Sequence, residues 1–269
     1  LNKTGKKALA PFNHALGLVS MLLVSPGVMA ETNIDRQTET AMPRQKNMYG
    51  LGVGVIPKTS GSKDQRMLIL PVINANYGER FYINGLQAGV WLLESDDKRI
   101  RMGLSADARF GWDADDSSRT KGMNDRDFSV DVGPVLRWQT DYGTINAQWG
   151  FDAGGASNGQ NVQLQFIRSL YRSERFRVNG LVGVQWNNRK FNDYYFGVDA
   201  DEVRADRPAY QAKAGTQLQL GVNGIYSVTA DQAVFFGLIA NRLGNQQADS
   251  PIVETRFQPL GYVGYSIGF

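Results

Sequence analysis

Apolar residues fall at every second position over runs of about ten, and few folds tolerate that pattern. Ile100, Met102, Leu104, Ala106, Ala108 and Phe110 alternate with Arg101, Gly103, Ser105, Asp107 and Arg109. The same pattern returns in Phe128–Trp138, interrupted at Pro134-Val135, and in Val162–Phe166, Phe176–Trp186 and Leu218–Val228. A period of two places successive side chains on opposite faces of a strand, so each run has one apolar and one polar face. A soluble sandwich buries the apolar face, whereas a membrane barrel turns it to lipid. Soluble strands centre on about five or six residues, and a tilted bilayer crossing takes about ten. The polar faces are rich in Gly, Gln, Asn and paired charges, which suits a crowded interior. Trp138, Tyr142, Tyr171, Trp186 and Tyr226 fall near the ends of runs, where interfacial aromatics sit. In lipid an open sheet edge leaves backbone groups unpaired, so such a sheet must close.

The first thirty residues read as a targeting segment. Lys3, Lys6 and Lys7 precede the mainly apolar Ala15–Val24; Ser25-Pro26-Gly27 and Val28-Met29-Ala30 follow. This is the order of a secretory signal with cleavage after Ala30, and the apolar run is too short to span a bilayer. A retained amphipathic anchor is the other reading, which the acidic Glu31 and Asp35 disfavour. The formal charge of the 269 residues is +3, and removing this segment leaves 26 basic against 26 acidic residues. The excess base therefore belongs to the segment, and nucleic acid is excluded as a partner. His14 is lost with it and the chain has no Cys, which excludes disulfides, Cys/His zinc sites and histidine-based catalysis.

Links between the runs come in two lengths. Short ones occur at 94–98, 139–142, 171–174 and 227–232; long ones at 58–65, 112–125, 153–160, 191–212 and 244–255. Short turns belong on the periplasmic side and long loops outside. A simple count gives eleven strands, an odd number incompatible with both ends being periplasmic. Splitting Phe81–Leu93 at the hairpin dipeptide Asn84-Gly85 restores parity. The expectation is an all-β, antiparallel transmembrane barrel of twelve strands, with ten as the alternative. Residues 1–30 are the signal, 31–47 a polar periplasmic tail and 48–269 the barrel.

At the carboxy terminus Val263, Tyr265, Ile267 and Phe269 alternate with Gly264, Ser266 and Gly268. This resembles the terminal insertion signal that the bacterial outer-membrane assembly machinery reads. Further segments carry a family likeness: Tyr194-Tyr195-Phe196-Gly197-Val198, Pro208-Ala209-Tyr210 and Ala248-Asp249-Ser250-Pro251-Ile252-Val253. Leu70-Pro71 and Tyr77-Gly78-Glu79-Arg80-Phe81 add to it. Together they resemble the MipA/OmpV family of outer-membrane proteins over 49–269, departing from it in the 112–125 loop. The resemblance implies a Gram-negative outer-membrane location in contact with outer-membrane lipid. It also implies a scaffold joining a lytic transglycosylase to a penicillin-binding protein in peptidoglycan synthesis. A narrow solute channel and a surface adhesin are the alternatives.

No catalytic residue, cofactor or metal is assigned. Asp113, Asp115, Asp116, Asp125 and Asp127 cluster, but Arg119, Lys121 and Arg126 interleave as in a solvated loop, and the Gly and distal Glu of an EF-hand are missing. Arg101, Asp107, Arg109, Asp131, Arg137 and Arg177 are expected to line the lumen, either as a selectivity lining or as charges that pair and fill a small barrel. The longest loop carries Tyr194, Tyr195, Phe196 and Tyr210. It is expected to fold inward as a plug, with a short helix over 199–205, or to present a binding surface.

Overall fold

A computed structural model describes residues 47–269. The expected signal over 1–30 and all but the last residue of the expected tail over 31–47 lie outside the described residues. Twelve strands close into one antiparallel barrel in simple up-and-down order. They are β1 (Met48–Pro57), β2 (Gln65–Tyr77), β3 (Phe81–Asn84), β4 (Gln87–Glu94), β5 (Ile100–Arg109) and β6 (Ser129–Thr140). The circuit continues with β7 (Gly143–Asp152), β8 (Gln160–Arg172), β9 (Phe176–Asn187), β10 (Gly215–Ser227), β11 (Gln232–Arg242) and β12 (Phe257–Gly268). β1 and β12 form the seam, with Tyr49 opposite Ile267 and Val53 opposite Val263. β3 and β4 separate at the Asn84-Gly85 turn, where Gly85 adopts φ +61°, a left-handed conformation that suits glycine. No helix among the described residues is long and apolar enough to cross a membrane.

Alternation sorts the side chains. Leu51, Met67, Ile69, Leu164, Leu220, Leu238 and Val263 are exposed on the outer wall, facing lipid at no hydrophobic cost. The interruption at Pro134-Val135 does not break the phase of β6. Pro134 faces out, and Val135 turns inward to pack on Tyr82 and Trp91.

The inner wall is less polar than the sequence suggests. Ile56, Leu68, Leu70, Ile167, Leu181, Ile239 and Leu260 all point inward and form one buried cluster, with Ile56, Ile167, Leu181 and Ile239 at 0–1% exposure. Near them inward aromatics lie over glycines of the next strand. A Cβ on Gly264 would stand 2.0 Å from the Phe235 ring, and one on Gly237 would stand 2.4 Å from the Tyr262 ring. Rings thus occupy the space the glycines leave, which fills a small barrel from within.

Candidate functional site

Three outer loops fold over the mouth. The loop after β9 begins with α1 (Arg189–Phe196), whose amino end is capped by Asn188, its side chain accepting from the Phe191 N–H at 3.0 Å. Phe191 and Tyr195, one turn apart, place two rings on one buried face, and Phe196 is buried beside them. The helix lies earlier in the loop than 199–205, where only a 3₁₀ turn over Ala200–Glu202 forms. The difference lies in the apolar face: 189–196 has rings to bury, and 199–205 does not. Phe191, Tyr195 and Phe196 pack with Ala212 and Leu243, and Tyr194 and Tyr210 lie against the same cluster. A second cluster joins Trp112, Ala114 and Met123 of the β5–β6 loop to Val198 and to Ile252 of the β11–β12 loop. The short α2 (Asn245–Ala248) locks in through Gln247 and through Tyr210, whose hydroxyl donates to Gln246 O at 3.0 Å.

Polar contacts fix this lid. Arg126 and Glu202 form a buried ion pair between the β5–β6 and β9–β10 loops. Arg126 also donates to Tyr194 O, and its guanidinium lies over the Trp112 and Tyr194 rings. Burial works against the charge of Glu202. Hydrogen bonds from Arg126, from the Asn124 N–H and from the Asp199 N–H outweigh it and hold the carboxyl below its ordinary range. Arg207, 1% exposed, donates to the carbonyl oxygens of Glu202, Arg119 and Lys121. Burial pushes the phenols of Tyr194 and Tyr195 up, so both stay neutral.

Below the lid stand the charged residues of the inner wall. Arg109 pairs with Asp131 and stacks under the Phe191 ring at 4.3 Å, which joins the barrel to α1. Asp107 is held by amides and a hydroxyl: Gln87, Gln148 and Ser105 all donate to it. Arg101 pairs with Glu94 at 3.3 Å. Arg101 and Arg137 are directly opposed across β5 and β6, and both lie over the Trp91 ring, at 5.9 and 5.5 Å. Arg177 is half-buried on β9, opposite Ile225 of β10. At the seam Val263, Tyr265, Ile267 and Phe269 are all exposed on the outer face, and the Phe269 N–H donates to Asn47 O.

The lid residues Arg126, Glu202, Arg207, Gln247 and Ser250 did not stand out in the sequence as contributors to a site. Arg126 is 76 residues from Glu202, and the Ser250 hydroxyl bonds Phe196 O across 54 residues; no local spacing announces such pairs. The motif Ala248–Val253 was the available signal, since Ser250 and Ile252 are both buried within it.

A family model described as "MltA-interacting protein MipA" matches residues 49–269. The MltA-interacting protein of Escherichia coli K12 is 25% identical over 94% of this chain and 100% of its own length. Outer membrane protein OmpV of Vibrio cholerae is 24% identical over 95% of this chain and 98% of its own. Among solved structures, the NanC porin is similar with a TM-score of 0.48 at 9% identity, covering 81% of this chain and 100% of that one.

Proposed function

Because the chain belongs to the MltA-interacting protein MipA family and is an outer-membrane β-barrel, we propose that it is a non-enzymatic scaffold for peptidoglycan-remodelling enzymes. Its partners on this reading are a lytic transglycosylase and a penicillin-binding protein. The observation that carries the reading is the double closure of the lumen. The three-loop lid covers the mouth, and the cluster around Ile56, Ile167, Leu181 and Ile239 fills the interior beneath it. A barrel packed in this way offers its surfaces rather than a path.

The surface open to a periplasmic enzyme is the rim of short turns. These are the 78–80, 95–99, 141–142, 173–175 and 228–231 links. The 95–99 turn is a fixed structure. Asp97 accepts from the Ser95 hydroxyl at 2.7 Å and from the Arg99 N–H at 3.1 Å, and these bonds hold its carboxyl below the usual range. Arg99 reaches across to Asp141 at 3.1 Å, linking that turn to the next one.

Photo-crosslinkers placed at Asp96, Tyr142 and Glu174 in intact cells test the proposal. Recovery of murein hydrolases or synthases supports it, and recovery of assembly factors alone overturns it. Planar-bilayer recording is the second check. A scaffold stays silent, and stable ohmic openings favour the channel reading.

A further inference from the structure

The apolar cluster around Ile56, Ile167 and Ile239 crosses the lumen on a diagonal and leaves uncovered a strip of wall running from the foot of β5 to the middle of β8. Burial divides the inward side chains accordingly. Leu68, Leu70 and Leu260 are 3–5% exposed, whereas Arg101, Arg137, Asn146, Gln148, Gln163 and Gln165 each keep part of their surface accessible. All six point inward, so the space they line belongs to the lumen.

Strand register sets the order along the strip. Arg101 opposes Arg137, Arg137 opposes Asn146 and Asn146 opposes Gln165, so four adjacent strands bring these side chains into one row, about 14 Å along the wall. Gln148 and Gln163, opposed to each other, stand in the next row toward the lid. Gln165 donates to Gln219 at 2.8 Å across Gly183, where a Cβ would crowd both amides. The side chains of Asn146 and Gln163 make no hydrogen bond among the described residues, so each holds unused donors and acceptors toward the lumen. Above them the strip is blind: Asp107 is bound by Gln87 and Gln148, and Arg109 lies against Asp131 under the Phe191 ring.

The foot of the strip is positive. At the periplasmic end the inner wall carries Arg101, Arg137, Arg172 and Arg177 against Glu94, whose carboxylate is shared by Arg101 and Lys98. The turns below hold Glu79, Asp96, Asp97, Asp141, Glu174 and Asp231 against Arg80, Lys98, Arg99 and Arg175. Of these acids, Asp97 and Asp141 pair with Arg99, and Glu79 with Lys98. The rim is thus mixed and faintly acidic, and the positive charge is confined to the wall. Arg101 and Arg137 are aimed from behind, since both guanidinium groups lie over the Trp91 ring and Tyr82 stacks on that ring at 4.8 Å. Like charges directly opposed across a ladder are unfavourable, and an anion between them removes the conflict.

We propose that this strip is a blind, periplasm-facing binding site for a small carboxylate-bearing saccharide. The carboxylate sits between Arg101 and Arg137, and the hydroxyl and amide groups of the ring meet Asn146, Gln163 and Gln165. A guanidinium presents paired donors that match a carboxylate, and a carboxamide matches a hydroxyl as donor and acceptor at once. Entry is from the short-turn end, because the lid closes the other. The inference is independent of the scaffold reading, since the site needs no partner enzyme.

N-acetylmuramic acid and N-acetylglucosamine share one ring, with and without a lactyl carboxylate, and so serve as matched probes. In isothermal titration of the detergent-solubilised barrel the acid is expected to bind about tenfold more tightly than the neutral sugar. Arg101→Gln combined with Arg137→Gln is expected to erase that difference, and Asn146→Ala with Gln163→Ala to weaken both sugars alike. Arg99→Gln on the rim is the control and is expected to change neither. Heat-modifiable migration certifies each variant as folded. The chain contains no Cys, so Asn146→Cys gives a second readout: a sulfonated thiol reagent is expected to modify it, and the acid to protect it several-fold better than the neutral sugar. Equal affinity for the two sugars overturns the carboxylate assignment, and binding of neither overturns the site. Binding of an alanyl-glutamate dipeptide as tight as that of the acid overturns the saccharide. An Asn146→Cys thiol as inert as one at Ile239→Cys overturns the access.

Discussion

The Arg126 guanidinium lies 3.2 Å from the Glu202 carboxylate, and both side chains are withdrawn from solvent, at 6% and 2% exposure. Because each belongs to a different outer loop, the pair fastens the lid over the barrel. Removing one partner strands a buried charge, which costs about 3 kcal/mol or more. Arg126→Ala is therefore expected to leave the barrel folded but to make residues 189–212 sensitive to limited proteolysis from outside. Replacing both partners with Met and Leu is expected to restore much of the protection.

The same pair gives the lid an acid limit. The folded state holds the Glu202 carboxyl below its ordinary value of 4.5, so its contribution is complete above that pH. It declines as the pH falls through the lower, folded value. Protection against hydrogen exchange across 189–212, measured relative to the intrinsic rate at each pH, is expected to fall on acidification below 4.5, and Glu202→Gln is expected to flatten that dependence. An unchanged profile in Glu202→Gln would place the acid sensitivity elsewhere.

Tyr195 is 3% exposed, and its hydroxyl finds no hydrogen-bond partner among the described residues. A buried unsatisfied hydroxyl costs about 1–3 kcal/mol, so Tyr195→Phe is expected to be neutral or stabilising. Phe191→Ala removes the ring under which Arg109 sits and is expected to cost about 3–5 kcal/mol. Urea unfolding followed by gel migration compares the two.

The contact between Gly264 and Phe235 predicts a compensating pair. An added methyl at Gly264 meets the ring at 2.0 Å, so Gly264→Ala is expected to destabilise by about 1–3 kcal/mol. Phe235→Ala makes room for it. A double-mutant cycle is expected to show strong favourable coupling, and additivity would mean the ring does not occupy that space.

Deleting 192–207 from the longest loop removes one of two barriers. The cluster of Leu181, Ile239 and their neighbours remains below, so the deletion alone is expected to raise conductance little. Combining it with Leu181→Gly and Ile239→Gly is expected to produce measurable openings in planar bilayers. Large openings from the loop deletion alone would show that the interior cluster does not seal.

Much of the wall was legible in the sequence because lipid and lumen impose opposite demands on neighbouring residues. Ile100–Arg109 alternates without ambiguity and Leu218–Ser227 does so apart from Gly224-Ile225, and parity forced the break at Asn84-Gly85 that the hairpin makes. The apolar interior was not legible. In Val53-Gly54-Val55-Ile56 and Met67-Leu68-Ile69-Leu70 apolar residues occupy both faces, so periodicity cannot tell which side chain faces lipid and which faces the lumen. The lid was half legible. Its rings stood out as a cluster, but α1 is only eight residues long, too short for a repeating stripe, and the ion pairs that fix it join distant loops.

The seam between β1 and β12 also constrains how the barrel is made. Tyr49 meets Ile267 across about two hundred residues of chain, and the entropy of closing so long a loop is recovered only when the two strands zip together. Shutting the cylinder is therefore a late event, impossible until β12, Phe257–Gly268, has been delivered. Until then ten neighbouring hairpin joints can form locally while two bare margins wait, and whatever escorts the nascent sheet must shield those margins from one another's counterparts on neighbouring chains.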